Sequence, residues 1–360
     1  MQHEEGLKDV FRKTKEKNIE QAIMYNDIVI FGAGNTALLY SECFETEKIN
    51  IKFFCDNNKE KQGKAFMGKE VIDPRDINKR CADPLVLILS MNPKMCYEIQ
   101  EQCRNLGIMY AMFDAVIFLR HEAEIMENFY MLDSVSQKIY SNIIISRMTG
   151  SEVMEEDVCR DRQYFCIAPF LRYKPGEVFV DCGAFVGDTV ERYIWNKTAV
   201  FDRIYAFEPN KKNYDAMCRR IKRLNEEWGL PDDKITPVFA GVGDRNRKVF
   251  VENESDKESS TTTRIRSDGS GEVDMYSLDG FFGDRRVGFI KADIEGFEKN
   301  MIQGAKNLIS RDRPSIAVCI YHSADDMYGI MQLLKNYNPE YKFAVRHHSY
   351  EYCETVLYAW

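Results

Sequence analysis

The stretch EVFVDCGAFVGDT, residues 177–189, decides the fold of the C-terminal half of this 360-residue chain. Its apolar start predicts a buried strand that ends at Asp181, and Gly183 and Gly187 predict a tight turn that leads into a helix. A strand, a glycine turn and a helix in this order open an α/β fold with a mainly parallel sheet.

Further strand signals follow this unit, with a helix expected over about residues 211–228 after the first of them. They are RIYAFEPN (203–210), ITPVFAGVGD (235–244), VGFIKADIEG (287–296) and SIAVCIYH (315–322). The final runs KFAVRHH (342–348) and ETVLYAW (354–360) predict a hairpin, so the last strand is expected to run antiparallel to its neighbours. Residues 173–360 are therefore expected to form a Rossmann-like domain whose mostly parallel sheet ends in an antiparallel hairpin.

A second strand, glycine turn and helix occurs earlier, in DIVIFGAGNTALLYSECF, residues 27–44. The strand signals IKFFCDNN (51–58) and PLVLILS (84–90) follow it, which predicts another Rossmann-like domain over residues 27–118. Residues 1–26 are expected to form an N-terminal helix. Apolar residues at helical spacing within residues 119–172, among them Ile125, Phe129 and Ile139, indicate helices that either link the two domains or cap the second one.

Composition and charge exclude several classes of protein. A formal net charge of -8 argues against a general nucleic-acid binder, which usually carries a basic surplus. The charged N-terminal run lacks the apolar core of a secretory signal, and no apolar run approaches the roughly 20 residues that span a bilayer. The 11 cysteines show neither a CxxC pair nor a Cys/His spacing typical of zinc. A cytoplasmic protein without a nucleic-acid partner or a transmembrane segment is expected, and a homo-oligomer stays open.

The glycine turn after Asp181 is rich in acids, and this favours a positively charged ligand. In an open parallel sheet the ligand lies beyond the carboxyl ends of the strands. Asp181 and Asp188 would repel a pyrophosphate there, whereas the sulfonium and ammonium groups of S-adenosylmethionine gain from nearby carboxylates. Glu208, 21 positions after Gly187, is suited to accept the ribose hydroxyls. The expected cofactor-binding residues, the last two of them beside the adenine, are Asp181, Gly183, Ala184, Gly187, Asp188, Thr189, Glu208, Asn210, Gly241 and Val242.

Five motifs in the same order resemble the FkbM-type S-adenosylmethionine-dependent methyltransferases. They are FVDCGAFVGDT, YAFEPN, VDMYSLDGFF, IKADIEGFE and the ETVLYAW ending, and the resemblance covers roughly residues 164–360. It implies a class I methyltransferase fold and methyl transfer to a hydroxyl, often on sugars or on glycan and natural-product precursors. Asp181, Gly183, Gly187, Glu208 and Asp293 match the family's cofactor and active-site positions. An O-methyltransferase of a carbohydrate, glycan precursor or nucleotide-linked sugar, with a place in polysaccharide biosynthesis, is therefore expected.

Candidates for the reacting end follow the fourth and fifth strands of this domain. Asp293 and Glu295 come after FIKA, and His322 comes after SIAVCIY. Methyl transfer to oxygen needs aligned reactants and removal of a proton, and a histidine with an unperturbed pKa near 6.5 suits a general base. Whether His322 is this base or only shapes the pocket stays open, and Asp293 is expected to orient the cofactor or the acceptor.

The same residues, together with Asp325 and Asp326, offer oxygen and imidazole ligands for a divalent metal. Some sugar O-methyltransferases resemble this arrangement in using magnesium. The Asp-Asp pair expected directly after the fifth strand is replaced by Tyr321 and His322, so a divalent metal is possible but not expected.

The first glycine turn, GAGNTA at residues 32–37, contains no acid, so it could place a phosphate at the N-terminus of a helix. Asp56, 22 residues after Gly34, could meet a ribose, which gives a possible second nucleotide site at Gly32, Gly34, Asn35 and Asp56. This region also resembles Rossmann-like domains that accompany sugar-modifying transferases, some of which bind nucleotide-sugars. A structural or dimerising domain is the rival interpretation.

Two other functions stay open on the sequence alone. A non-catalytic nucleotide or nucleotide-sugar binding protein would keep the fold without the chemistry, although Asp293, His322 and the complete glycine loop argue against it. An NAD-dependent oxidoreductase would use GAGNTA, but the chain shows no dedicated nicotinamide-dependent catalytic domain.

A polar segment over residues 254–272 interrupts the second domain. It is too long for a tight turn. It is therefore either a flap over the acceptor or a disordered surface loop.

Overall fold

A computed structural model of the chain describes residues 2–172, 174–252, 264–266 and 271–360. The chain forms two compact units. The N-terminal unit comprises Met1–Cys159, Tyr321–Tyr328 and Val345–Thr355, and the C-terminal unit comprises Arg160–Ile320, Gly329–Ala344 and Val356–Trp360. Two short segments from late in the sequence therefore belong with the first half of the chain, which the expected boundary between residues 172 and 173 does not include.

The first part of the chain alternates strands with helices, as the sequence predicts. The helices are α1 Gln2–Glu16, α2 Ile19–Tyr25, α3 Asn35–Leu39, α4 Ser41–Thr46, α5 Ile77–Arg80, α6 Pro93–Asn105, α7 Phe113–Arg120, α8 Glu122–Met131 and α9 Ser134–Thr149, with a 3-10 turn at Pro74–Asp76. The strands are β1 Asp27–Phe31, β2 Ile51–Cys55, β3 Ala65–Phe66, β4 Lys69–Ile72, β5 Pro84–Ile88 and β6 Met109–Met112. They form a sheet in the order β3-β4-β2-β1-β5-β6, in which β1 pairs in parallel with both β2 and β5.

The helix after the first glycine turn is interrupted. α3 ends at Leu39 and α4 begins at Ser41, with the buried Tyr40 between them. The Tyr40 hydroxyl donates to Asp114 at 2.9 Å and accepts from the fully buried Arg147 at 2.7 Å, so this residue is bonded into the interior of the N-terminal unit. The helix that the sequence predicts after this turn is therefore divided into two short segments, α3 and α4.

The second part of the chain carries a longer sheet. Its helices are α10 Ala168–Leu171, α11 Asp188–Asn196, α12 Lys211–Trp228, α13 Leu278–Phe282, α14 Glu298–Gln303, α15 Lys306–Asp312 and α16 Asp326–Tyr337, preceded by a 3-10 turn at Glu155–Asp157. Its strands are β7 Val178–Cys182, β8 Arg203–Phe207, β9 Ile235–Val238, β10 Ala240–Val242, β11 Arg247–Glu252, β12 Arg264–Arg266, β13 Glu272–Tyr276, β14 Phe289–Ala292, β15 Ser315–Cys319, β16 Phe343–His347 and β17 Thr355–Ala359. None of the helices in the described ranges is long and apolar enough to cross a membrane.

The main sheet of this part runs in the order β16-β17-β15-β14-β7-β8-β9. β7 pairs in parallel with β8 and β14, β14 pairs in parallel with β15, and β17 runs antiparallel to β15. Every residue of β14 and β15 is buried, as expected for central strands covered on both faces. The fold class that the sequence predicts, with a mostly parallel sheet and an antiparallel last strand, is confirmed.

A separate small sheet has the order β10-β13-β11-β12. β10 pairs in parallel with β13, and β11 runs antiparallel to both β13 and β12. Most of the segment 254–272, for which the sequence left a flap or a disordered loop open, lies outside the described residues.

Candidate active site

The carboxyl ends of three neighbouring strands bring candidate residues to one edge of the main sheet. β7 lies between β8 and β14, and both pairings are parallel. Asp181 lies near the end of β7, Glu208 follows β8 directly, and Asp293 follows β14 directly. Because parallel strands end at the same edge, these acids lie on the side where open α/β sheets bind ligands.

The turn between β7 and α11 requires glycine at two positions. Gly183 and Gly187 have φ of 80° and 79°, in the left-handed region that glycine adopts without strain. A Cβ on Gly183 would overlap the carbonyl oxygen of Asp293, so the loops after β7 and β14 approach too closely for a side chain at this position. The backbone amides of Gly183 and Ala184 both donate to the carbonyl of Phe207, which ties the turn to the end of β8. The turn is therefore a fixed backbone surface beside the acids.

Asp181 is fully buried and forms an ion pair that the sequence analysis did not predict. Its Oδ1 lies 3.1 Å from the Nζ of Lys291, which also donates to the carbonyl of Gly183 at 2.7 Å. Burial raises the pKa of Asp181 to about 6, although the Lys291 ammonium acts to lower it. Burial alone would lower the pKa of Lys291, but the carboxylates of Asp181 and Asp293 outweigh it and raise that pKa above its usual range. Lys291 therefore offsets part of the negative charge expected of this turn.

Glu208 is 4% exposed, and backbone amides hold its carboxylate. Oε2 accepts from the amide of Phe185 at 2.9 Å, and Oε1 accepts from the amide of Asn210 at 2.8 Å. Burial raises the pKa of Glu208 to about 7, although these two hydrogen bonds and the charge of Lys291 act to lower it. Each carboxylate oxygen can accept more than one hydrogen bond, so the group can still accept ligand hydroxyls.

The remaining candidates for the cofactor site take part in local structure. Asp188 is the first residue of α11, Thr189 beside it is buried, and Asn210 caps α12 by accepting two backbone amides of its first turn. Gly241 and Val242 lie in β10, which pairs with β13 in the small sheet instead of extending the main sheet from β9. A contact between these residues and a cofactor stays a prediction.

Asp293 and Glu295 lie in the loop after β14. The Tyr164 hydroxyl donates to Oδ2 of Asp293 at 2.8 Å, and the Tyr164 ring centroid lies 5.2 Å from the Nζ of Lys291. Glu295 has a φ of 56°, which is unusual for a residue with a side chain. The buried Glu298 accepts two backbone amides of this loop at 2.7 and 3.0 Å. The loop conformation and the Asp293 carboxylate are thus both held by neighbouring side chains.

The proposed catalytic and metal-binding residues are divided between the two units. Asp293 and Glu295 belong to the C-terminal unit, whereas His322, Asp325 and Asp326 belong to the N-terminal unit. His322 follows β15 and is 4% exposed. Its role as a general base stays a prediction.

Sequence reasoning missed two residues of this site, Lys291 and Tyr164. The sequence could have indicated Lys291, because it is the one charged residue in the apolar run FIKA, and a charge in a buried strand requires a partner of opposite charge. Tyr164 precedes β7 in an irregular segment, and the sequence gives no period or spacing that would place it on Asp293.

The candidates for a second nucleotide site lie in the N-terminal unit. Gly32, Gly34 and Asp56 line a common cavity at the end of β1, while Asn35 is exposed. Asp56 accepts from the backbone amide of Ala33 at 3.1 Å, so this carboxylate already holds the glycine turn.

Residues 181–343 match the family model of the methyltransferase FkbM domain. Over these residues, which are less than half of the chain, it is similar to the FkbM methyltransferases. This confirms the resemblance carried by the five motifs, and the matched region contains Asp181, Glu208 and Asp293. Residues 24–113 match the model of the C2185-like N-terminal domain, close to the expected domain over residues 27–118. No curated protein matches the chain.

The FkbM methyltransferase of Methylobacillus flagellatus has a similar structure over nearly the whole chain. It is 19% identical, with a TM-score of 0.60, and the match covers 98% of this chain and 99% of that one. An rRNA methylase from Streptococcus thermophilus is 10% identical, with a TM-score of 0.33 over 52% of this chain and 86% of that one. Fibrillarin from Aeropyrum pernix, with natively bound S-adenosylmethionine, is 13% identical, with a TM-score of 0.33 over 52% and 67%. At these identities the likeness to the FkbM structure supports the fold alone, and the two weaker matches support no argument about this chain.

Proposed function

We propose that the chain is an S-adenosylmethionine-dependent O-methyltransferase acting on a hydroxyl of a carbohydrate, a glycan precursor or a nucleotide-linked sugar. Residues 173–360 form the catalytic domain in this proposal, and polysaccharide biosynthesis is its expected setting. The match of residues 181–343 to the FkbM domain supports methyl transfer as the activity. The proposed location is the cytoplasm, which the free state of the 11 cysteines supports.

The observation that carries the proposal is the buried carboxylate of Glu208 beside the glycine turn. It lies at the end of the strand next to β7, where Rossmann-type sites hold the acid that accepts ribose hydroxyls. The amides of Phe185 and Asn210 fix one oxygen each, so the carboxylate is oriented before any ligand binds. The ribose hydroxyls of S-adenosylmethionine would add the hydrogen bonds that these oxygens can still accept.

The residues at the end of β7 fit the charged part of this cofactor. Oδ2 of Asp181 is buried without a hydrogen-bond partner among the described residues, and a buried acceptor of this kind needs a donor such as an ammonium or a bridging water. Asp188 adds a carboxylate at the start of α11; its side chain is 36% exposed and lies 3.5 Å from the guanidinium of Arg192. Because Lys291 and Arg192 neutralise part of the charge of Asp181 and of Asp188, we expect the preference for a cation to depend mainly on Glu208, with a smaller contribution from Asp188.

S-adenosylmethionine supplies a methyl group on a sulfonium, from which an acceptor oxygen displaces the neutral thioether. The chain must orient that oxygen and remove its proton. Asp293 is the proposed orienting residue, since the Tyr164 hydroxyl fixes its carboxylate at 2.8 Å, and Glu295 in the same loop is a further candidate. His322 is the proposed general base.

Calorimetry with S-adenosylmethionine and S-adenosylhomocysteine tests the cofactor assignment. Both are expected to bind, and folded protein that gives no heat with either contradicts the proposal. Asp188→Asn should weaken the binding of S-adenosylmethionine more than the binding of S-adenosylhomocysteine, because only S-adenosylmethionine carries the sulfonium charge. Equal weakening of the two would mean that Asp188 does not face the sulfur.

Transfer from ¹³C-methyl-labelled S-adenosylmethionine to a mixture of glycan precursors tests the reaction. A labelled methyl ether is the expected product, and labelled methyl on nitrogen or carboxylate alone contradicts O-methylation. His322→Ala should lower kcat while the affinity for S-adenosylhomocysteine stays unchanged. Equal turnover in this variant would remove the general-base role.

A further inference from the structure

A cavity of about 340 Å³ lies within the N-terminal unit at the carboxyl ends of β1 and β5. β2 and β5 flank β1, so the chain reverses its direction across the sheet at this point. Open α/β sheets bind ligands at this kind of switch point. The volume is at the lower end of the range for small-molecule sites, which is about 300–1,000 Å³. A ligand of one or two small rings is therefore the size to consider.

The loop between β16 and β17 supplies one side of this cavity through Glu351. Oε1 of Glu351 accepts from the side-chain amide of Asn92 at 2.6 Å. The adjacent Tyr352 donates its backbone amide to the carbonyl of Met91 at 2.9 Å and its hydroxyl to the carbonyl of Ser151 at 2.6 Å. Three hydrogen bonds thus fix this part of the wall, and one of them orients the exposed carboxylate of Glu351.

The charges around the cavity disfavour a phosphorylated ligand. Lys61 is the one basic residue among the described residues that line it, and its Nζ is already paired with Asp56 at 2.9 Å. The lining contains three carboxylates, Asp56, Glu98 and Glu351, against the single ammonium of Lys61, so its formal charge is -2. A diphosphate would meet this negative charge with no unpaired cation to offset it. α3, at Asn35–Leu39, is also too short to add a useful helix dipole.

We propose that this cavity binds an uncharged polyhydroxylated compound, a sugar ring, in place of the nucleotide that is one of the two interpretations of this region on sequence alone. Its hydroxyls would donate to Glu351 and Glu98, while Lys61 would donate to a ring or hydroxyl oxygen. Met91 and Met95 line the same cavity and offer apolar surface to the C–H groups of a sugar ring. The binding site is independent of the proposed methyl transfer, because every residue named belongs to the N-terminal unit.

Methyl resonances of Met91 and Met95 report occupancy of the cavity directly. The protein is labelled with [methyl-¹³C]methionine, and the two resonances are assigned by Met91→Leu and Met95→Leu. Glucose, mannose and N-acetylglucosamine are then titrated separately, without S-adenosylmethionine. At least one sugar should shift both resonances with a saturable dependence on concentration, and Glu351→Ala and Glu98→Gln should each weaken that binding by at least fivefold. Glu5→Gln, an exposed change on α1 outside the cavity, should leave it unchanged.

Three results would overturn the proposal. The first is no shift of either resonance with any of the three sugars. The second is a shift of both resonances by uridine diphosphate or NAD at lower concentration than by any sugar. The third is sugar binding that neither Glu351→Ala nor Glu98→Gln weakens. None of these results depends on cofactor binding or turnover, so they are separate from a failure of the proposed methyl transfer.

Discussion

Replacing Glu208 by glutamine tests both the electrostatics and the role of this residue. The carboxylate is 4% exposed, and burial raises its pKa from 4.5 to about 7. Glutamine keeps the size of the side chain but removes the ionisation. It can accept only one of the two backbone amides that the carboxylate accepts, so the exchange also carries a cost of about 1–3 kcal/mol that does not depend on pH.

The effect on stability follows from the direction of the pKa shift. Because the pKa is higher in the folded protein, the folded state holds the proton more tightly than the unfolded state. Glu208 therefore stabilises the fold most below pH 4.5, and this contribution is lost as the pH rises through about 7. With about 1.4 kcal/mol for each pKa unit, the wild-type protein should lose roughly 2 kcal/mol relative to Glu208→Gln between pH 5 and pH 8.

Urea denaturation of both proteins at pH 5, 6, 7 and 8 measures this difference. Other titrating groups are shared by the two proteins and cancel in the comparison, and the lost hydrogen bond adds the same offset at each pH. The exposed Glu340→Gln serves as a control whose difference from the wild type should stay constant across the series. If the difference between wild type and Glu208→Gln is also constant, the carboxylate is not held in a buried, unfavourable ionised state, and the reasoning about its pKa fails.

Calorimetry with S-adenosylhomocysteine then separates this stability effect from a role in binding. The ionised carboxylate is the better acceptor for ribose hydroxyls, so wild-type affinity should rise as the pH increases from 6 to 8. Glu208→Gln should remove this pH dependence and weaken binding at pH 8 by about tenfold, which corresponds to 1.4 kcal/mol. A variant that binds as tightly as the wild type at pH 8 would exclude Glu208 from the cofactor site, whatever its effect on stability.

Three further changes test the surroundings of this carboxylate by urea denaturation. Gly183→Ala should prevent folding or lower the free energy of unfolding by more than about 3 kcal/mol, because the added Cβ meets a backbone carbonyl. The control Gly176→Ala has a similar φ of 77° but open space around the added Cβ, so it should lower the free energy of unfolding by only about 1 kcal/mol. Equal losses in the two variants would contradict the close approach of the loops after β7 and β14. Lys291→Met should lower the free energy of unfolding by about 3–5 kcal/mol, because it leaves Asp181 buried without its partner. Adding Asp181→Asn to this variant should recover part of the lost stability. No recovery would mean that loss of the ion pair is not the cause. Tyr164→Phe should lower the free energy of unfolding by about 1 kcal/mol, because the hydrogen bond to Asp293 is lost. It should also lower the rate of methyl transfer without changing the affinity for the cofactor. Full activity in this variant would exclude a role of Tyr164 in positioning Asp293.

The fold was predictable because its signals are local. Each strand of the main sheet is a short apolar run, and each parallel pairing follows from the alternation of such runs with helices. The allocation of Tyr321–Tyr328 and Val345–Thr355 to the N-terminal unit was not predictable in this way. It depends on long-range contacts such as the hydrogen bond of 2.6 Å from Tyr352 to the carbonyl of Ser151, and a hydrophobic period does not specify the partner of a buried residue.

The candidate site shows the same division between position and partner. The sequence placed Asp181, Glu208 and Asp293 at strand ends, because a strand end is visible as the point where an apolar run meets a polar residue. It counted Asp181 as an open negative charge, although the counterion Lys291 approaches from a strand more than 100 positions away in sequence. A charge count within one loop therefore overstates the field that a ligand meets.

The ion pair between Asp181 and Lys291 changes how the site can select a cationic cofactor. With Asp181 and Lys291 forming a pair, the carboxylate whose ionisation is most open to change near neutral pH is Glu208, with a pKa of about 7. A positive charge bound close by would lower that pKa and favour the ionised form, and the ionised form would in turn bind the positive charge more tightly. Cofactor binding and the ionisation of Glu208 are therefore expected to be coupled, so that binding at pH 6 to 7 releases a proton. A diphosphate would shift the same pKa upward and take up a proton, so the sign of proton exchange distinguishes the two kinds of ligand without any structure of a complex.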